Sequence, residues 1–204
     1  MDRLWAEIKK FMIKLTGGLH LPRELQDIKG TVLLHISDTP ECIYPFIIEL
    51  IEELQPEVVV HTGDVADNFK LGLGLSEAKY EKKVKQFLAP IEDQVKWATY
   101  IVPGNHDSKA VLKRHTEQII LKEEGSIIEV EGVKIGLSHF LKNSPAGADI
   151  NLYGHNKEKF SSREKVFLNG LLSINLILLP ERQFFYIPYP WKADSGRKYK
   201  HLSL

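Results

Sequence analysis

Residues 31–68 read TVLLHISDTPECIYPFIIELIEELQPEVVVHTGDVADN, and their rhythm decides the fold. Val32-Leu33-Leu34-His35-Ile36 is an apolar run of buried-strand length. Residues 43–54, with Cys42 just ahead, place Phe46, Ile47, Leu50, Ile51 and Leu54 on one stripe, the spacing of a helix packed on a core. Glu57-Val58-Val59-Val60-His61 is a second apolar run. Strands that are apolar throughout, joined by an amphipathic helix, predict a parallel βαβ unit covered on both faces.

Working outward, residues 76–88 read as a polar helix, 97–102 as a third strand and 109–122 as another helix. After Gly125 the rhythm shortens. Residues 127–130, 134–137, 150–153, 166–168, 174–179 and 183–187 are short strands separated by turns. The predicted class is α/β: two mixed β-sheets packed as a sandwich flanked by helices. Residues 30–190 form that domain. Ahead of it, residues 2–15 carry Leu4, Trp5, Ile8, Phe11, Met12 and Leu15 at helical spacing, so 1–29 is read as an amphipathic helical extension ended by Gly17-Gly18. Three roles are open to it: packing on its own domain, a homodimer contact, or lying on a membrane surface. Residues 191–204 are read as a basic, loosely attached tail.

The chain has 204 residues, enough for one domain with a real core. Its 27 basic and 27 acidic residues cancel, so no general attraction to nucleic acid or anionic lipid is expected. With one cysteine, Cys42, there is no internal disulfide, which fits a reducing cytoplasm. No apolar run is long enough to span a bilayer. Gly72-Leu73-Gly74 lacks the context of a dinucleotide loop, and no phosphate loop ending in Gly-Lys-Ser/Thr is present.

The chemistry lies in what ends each strand. The first strand runs into Ser37-Asp38-Thr39-Pro40, the second into Thr62-Gly63-Asp64-Val65-Ala66-Asp67, the third into Pro103-Gly104-Asn105-His106-Asp107. Two later turns, Ser138-His139 and Gly154-His155, also follow strand-like runs. In parallel sheets such loops converge at the carboxyl ends of the strands. Alone, each residue reads as a turn former, a helix cap or a core histidine. Together, Asp, Asn and His make a ligand set for a divalent metal of borderline hardness, Mn, Fe, Zn or Ni. His35 and His61 lie three residues ahead of the loop aspartates and are assigned to the sheet interior. Residues 68–74 and 142–148 are nominated as pocket walls.

Gly63-Asp64-Val65-Ala66-Asp67, Gly104-Asn105-His106-Asp107 and the following His139 resemble the calcineurin-like metallophosphoesterases, whose pattern is D-x-H, G-D-x-x-D, G-N-H-[DE], a histidine, then G-H-x-H. The resemblance spans residues 32–168. It implies a two-metal hydrolase of phosphate mono- or diesters acting on a small phosphorylated substrate. One metal position would be complete: Asp64, Asn105, His139 and His155. The other would keep Asp38 and the shared Asp64 only, because Pro40 and Lys157 stand where histidines are expected, and neither offers a lone pair. By the same resemblance His106 serves the transition state or leaving group, and Asp107 orients it. Asn105, His106 and Lys157 are the candidate phosphate contacts. For Lys157 two readings stand: an ammonium near Asp38 and Asp64 that partly replaces a metal, or a side chain turned to solvent. Two functions stand with them: a metal-dependent phosphoesterase, or a catalytically degenerate interaction module on the same fold.

Overall fold

A computed structural model describes residues 30–69, 76–92 and 98–197. Among the described residues, ten strands form two sheets. Strands β1 (Thr31–Ile36), β2 (Val58–His61), β3 (Ala98–Ile101) and β4 (Ile120–Leu121) are mutually parallel. With β9 (Ile174–Leu179) antiparallel beside β1 and β10 (Gln183–Ile187) antiparallel beside β9, the first sheet is ordered β10-β9-β1-β2-β3-β4. The second sheet, β5-β6-β7-β8, uses β5 (Ser126–Val130), β6 (Val133–Leu137), β7 (Ile150–Tyr153) and β8 (Val166–Asn169). It is antiparallel at β5-β6 and parallel from β6 to β8. Both sheets are mixed, as the sequence predicted.

Alternation along the strands sorts the core into two layers. Leu33, Val58, Val60 and Ile177 face the second sheet and meet Ile135, Leu137, Ile150, Leu152 and Leu168. Val32, Leu34, Ile36, Val59 and Leu176 face the other way, onto helices α1 (Tyr44–Leu54) and α2 (Glu77–Glu92). β1 and β2 are thus buried on both faces, which is why they are apolar but for Thr31, His35 and His61. A single 3-10 turn, Glu41–Ile43, opens α1, and Gln55 closes it in the left-handed conformation, φ 47°.

Two predictions need correction. The helix expected over 109–122 stops early, as α3 (Lys109–Arg114), and the chain turns into β4. The carboxylate of Glu92, at the end of α2, accepts the backbone N–H groups of Glu117, Gln118 and Ile119 at 2.8–3.3 Å. Those donors are captured from outside the helix, a tertiary effect invisible to local spacing. The described part of the tail is not loose either. Residues 192–196 form a short helix, α4, and the next residue, Arg197, is 1% exposed. The expected extension 1–29 lies outside the described residues. None of the helices among the described residues is long and apolar enough to cross a membrane.

Candidate metal centre

The carboxyl ends of β1, β2, β3, β6 and β7 deliver Asp38, Asp64, Asn105, His139 and His155 to one rim, and the parallel ladder continues into the loops. Asp38 N–H donates to Gly63 O (2.9 Å), Thr39 N–H to Asp64 O (3.1 Å) and Gly154 N–H to His139 O (3.0 Å). Asp38, Asp64 and His155 all sit at positive φ, 51°, 55° and 68°. Such backbone is unfavourable for residues with a Cβ and gathers at functional sites, where the surroundings enforce it. The neighbouring glycines make room. A Cβ on Gly63 would come 2.6 Å from His139 Nδ1, and one on Gly154 2.6 Å from Asp38 Oδ2.

His139 is fully buried, and its Nδ1 lies 2.7 Å from the carbonyl oxygen of Thr62. A carbonyl only accepts, so Nδ1 carries the proton, and in the neutral ring Nε2 presents a bare lone pair. That lone pair faces Asn105 Oδ1 at 3.0 Å, His155 Nδ1 at 3.2 Å and Asp64 Oδ2 at 3.7 Å. Ligand atoms of Asp64, His139 and His155 lie within 4.8 Å of one another. A knot of converging acceptors around the buried Asp64 and His139 is what a cation stabilises, and a carbonyl behind the histidine is the usual way to fix a metal ligand's orientation.

The electrostatics agree. Asp64 is 2% exposed, and its carboxyl is held well above the usual range. Burial is the main cause, followed by the charges of Asp107, Asp38 and Asp67; the His106 N–H, which donates to Oδ1 at 3.0 Å, opposes them. Oxygens of Asp38, Asp64 and Asp67, all buried, also lie within 4.8 Å of one another. So much negative charge away from water needs a counter-charge. Asp67 was not singled out from sequence as a ligand, although it closes the G-D-x-x-D pattern. The His155 N–H donates to Asp38 Oδ2 at 3.1 Å, and Ser37 Oγ to the same oxygen at 2.6 Å.

Asp107, read as the orienter of the His106 ring, has both oxygens engaged by other donors. Oδ1 accepts from Tyr80 O–H (2.8 Å) and Val65 N–H (3.0 Å), Oδ2 from Asp64 N–H (2.8 Å) and Gly104 N–H (2.9 Å). It ties the second loop to the third and so sets where Asp64 stands. Lys157 puts its ammonium 3.0 Å from Asp194 Oδ2, with the side chain 56% exposed. His35 and His61 are buried, as expected. His35 bonds to Thr62 and Asn175, and His61 to Thr39 and the Gly63 N–H.

Sequence reasoning missed Arg197. Its Nε donates to Asp38 O (2.7 Å), its guanidinium also reaches Leu171 O (3.0 Å) and Ser37 O (3.4 Å), and it lies 4.3 Å over the Tyr189 ring. Gly196 leaves no room for a Cβ, which would come 2.6 Å from Cys42 Sγ and 2.9 Å from Pro40 Cβ. The end of the described chain therefore braces the Asp38 loop from behind. A run of basic residues gives no sign of which one is buried.

Known proteins share this fold. A probable glycerophosphodiester phosphodiesterase GpdQ from Arcobacter nitrofigilis is 28% identical over 125 residues, covering 58% of this chain and 42% of that protein. The chain thus spans less than half of the curated relative it matches. The E. coli phosphoesterase YfcE is 18% identical, with a TM-score of 0.50 over 77% of this chain and all of its own. A further solved structure, 12% identical, superposes with a TM-score of 0.56 over 79% of this chain and all of its own. These likenesses show the fold. The sequence model of the calcineurin-like phosphoesterases matches residues 31–201, so the chain belongs to the calcineurin-like phosphoesterase family.

Proposed function

We propose that the chain hydrolyses a small phosphate mono- or diester at a divalent metal held by Asp64, Asn105, His139 and His155. The observation that carries this reading is the lone pair of His139 Nε2, fixed by the Thr62 carbonyl and aimed at Asn105, His155 and Asp64. A divalent ion bound there lowers the pKa of water and polarises a phosphoryl oxygen. In the net reaction a water oxygen bonds to phosphorus, the ester P–O bond breaks, and the alcohol leaves with a proton. His106, tethered through its N–H to Asp64 Oδ1, supplies or receives that proton. Asn105, exposed on the same loop, would touch a phosphoryl oxygen. Lys157 would reach one by exchanging Asp194 for the substrate, as a point charge. Asp38 with Asp67 would serve a second ion beside the first. Mn, Fe, Zn and Ni all suit the nitrogen and oxygen donors. The single cysteine fits a cytoplasmic setting.

The test is hydrolysis of 4-nitrophenyl phosphate and bis(4-nitrophenyl) phosphate with added Mn²⁺. His155→Ala and His106→Ala should each lower kcat/KM by about a hundredfold or more. Activity untouched by both substitutions, or none with any of the four metals, would remove the reading.

A further inference from the structure

Where the two sheets part, between the edge strands β8 and β10, a cavity of about 650 Å³ opens, a size typical of small-molecule sites. Its walls include Tyr153, Phe160, Phe167 and Tyr186, and Lys159 stands among them. Phe160 and Phe167 meet edge to face with centroids 4.6 Å apart. Even so, Phe160 is 49% exposed, one of few large apolar side chains held out to water among the described residues.

Apart from Lys159 and Ser161, much of the polar lining is already engaged within the protein. Tyr153 O–H donates to Glu158 O at 2.8 Å. The Asn169 amide donates to Asn156 O and Glu158 O and accepts from Leu171 N–H. Asn175 is bonded to Ser173 and His35. What these walls offer a ligand is mainly ring faces, with Lys159 and Ser161 as the polar groups at hand.

The cavity adjoins the metal centre. Tyr153 and Asn169 are each followed by a glycine pressed against the Asp38 loop. A Cβ on Gly154 would come 2.6 Å from Asp38 Oδ2, and one on Gly170 2.9 Å from Ser37 Cβ. One residue, about 3.8 Å of chain, separates wall from centre. A smaller hollow of about 200 Å³, bordered by Lys157 and Asp194, shares Leu172 and Pro188 with the cavity. The two hollows therefore border one another at Leu172 and Pro188, the second of them reaching Lys157.

We propose that this cavity is the subsite for the organic group of the phosphoester, and that the group is a flat aromatic or fused-ring system. The proposal rests on the phosphoesterase reading above. A sugar, with a hydroxyl on nearly every carbon, would find too few partners there to replace its hydration, whereas a ring gains offset or edge-to-face contacts with several aromatic neighbours. The phosphoryl end then lies toward Lys157 and the metal ligands.

The experiment is calorimetric titration of the Mn²⁺-loaded full chain with 1-naphthylmethylphosphonate, ethylphosphonate and 1-naphthol. The wild-type protein should bind the naphthyl phosphonate about tenfold more tightly than the ethyl one. Phe160→Ala, which trims the wall, and Leu172→Trp, which fills the neck, should each erase most of that margin and leave ethylphosphonate affinity unchanged. Equal affinities in the wild-type protein, or a margin that survives both substitutions, would overturn the subsite. Failure of the underlying reading looks different. If 1-naphthol binds in a Phe160-dependent way while neither phosphonate binds and no ester is hydrolysed, the ring subsite stands and the phosphoesterase assignment falls.

Discussion

Thr62 has a side chain no motif search would notice, yet its carbonyl decides which nitrogen of His139 faces the cluster. The residues named from sequence as ligands do converge; the groups that orient them are backbone atoms from other loops, and a sequence shows no such atoms. The same holds for Asp107, legible as part of G-N-H-D but not as the acceptor of Tyr80 and three backbone donors. Crowding at Asp64 makes a definite prediction. Asn keeps the oxygen that accepts the His106 N–H, tolerates φ 55° and carries no charge. Asp64→Asn should therefore stabilise the metal-free protein by about 1 kcal/mol or more and abolish the thermal shift produced by Mn²⁺. Melting curves with and without the ion check both. His35 and His61 titrate in the opposite sense. Burial pushes each ring down to about 3 from an ordinary value near 6.5. The unfolded chain takes up these protons as pH falls through 6.5, while the folded chain resists until about 3. Their stability is thus full above 6.5 and drains away below it, with a limiting slope of about 2.7 kcal/mol per pH unit for two protons. Asp64, whose raised carboxyl binds its proton early in the folded state, works against this slope. Urea unfolding from pH 7 to 5 is therefore best followed in the Asp64→Asn background, and a flat profile there would contradict the buried, neutral assignment.

At the level of elements, nine of the ten strands could be found as apolar runs, because each fills one layer of core between turns. β4 could not. It has two residues, and it exists because a carboxylate at the end of α2 intercepts the N–H groups that a longer helix would have used. α4 was hidden for a related reason: its sequence is short and polar, and its docking depends on one guanidinium. Arg197 hydrogen-bonds main-chain carbonyls of Ser37, Asp38 and Leu171, so its removal leaves buried acceptors without donors. Arg197→Ala should lower stability by about 3 kcal/mol. Arg197→Lys should recover only part of that loss, since a single ammonium cannot copy the planar fork. Denaturant unfolding of the three proteins measures the difference, and equal midpoints would show that α4 is not anchored through this residue. Lys157 belongs to the same assembly through Asp194, so the β7 loop and the β1 loop are braced by one short element.

Across the whole molecule, the centre stands on loops from both sheets. Asp38, Asp64 and Asn105 come from the first, His139 and His155 from the second. The order of strand ends along the chain was enough to foresee this convergence, since parallel strands in register present their carboxyl ends together. The aromatic cavity was not foreseeable. Of the stretches nominated as pocket walls, 142–148 does not line it and 68–74 falls mostly outside the described residues, while its walls come from four strands and two turns that no local run brings together. The sheet order has a further consequence, for how the chain is made. β1 is a central strand, yet its partner on one side is β9, which begins at Ile174. At ordinary ribosomal speeds of about 5–20 residues per second, the TVLLHI segment emerges roughly seven to thirty seconds before that partner exists. Throughout that interval it offers an uncovered, largely apolar edge to any other nascent strand. The crowding of polyribosomes, rather than the stability of the finished sandwich, would then set how much of this protein reaches its native state.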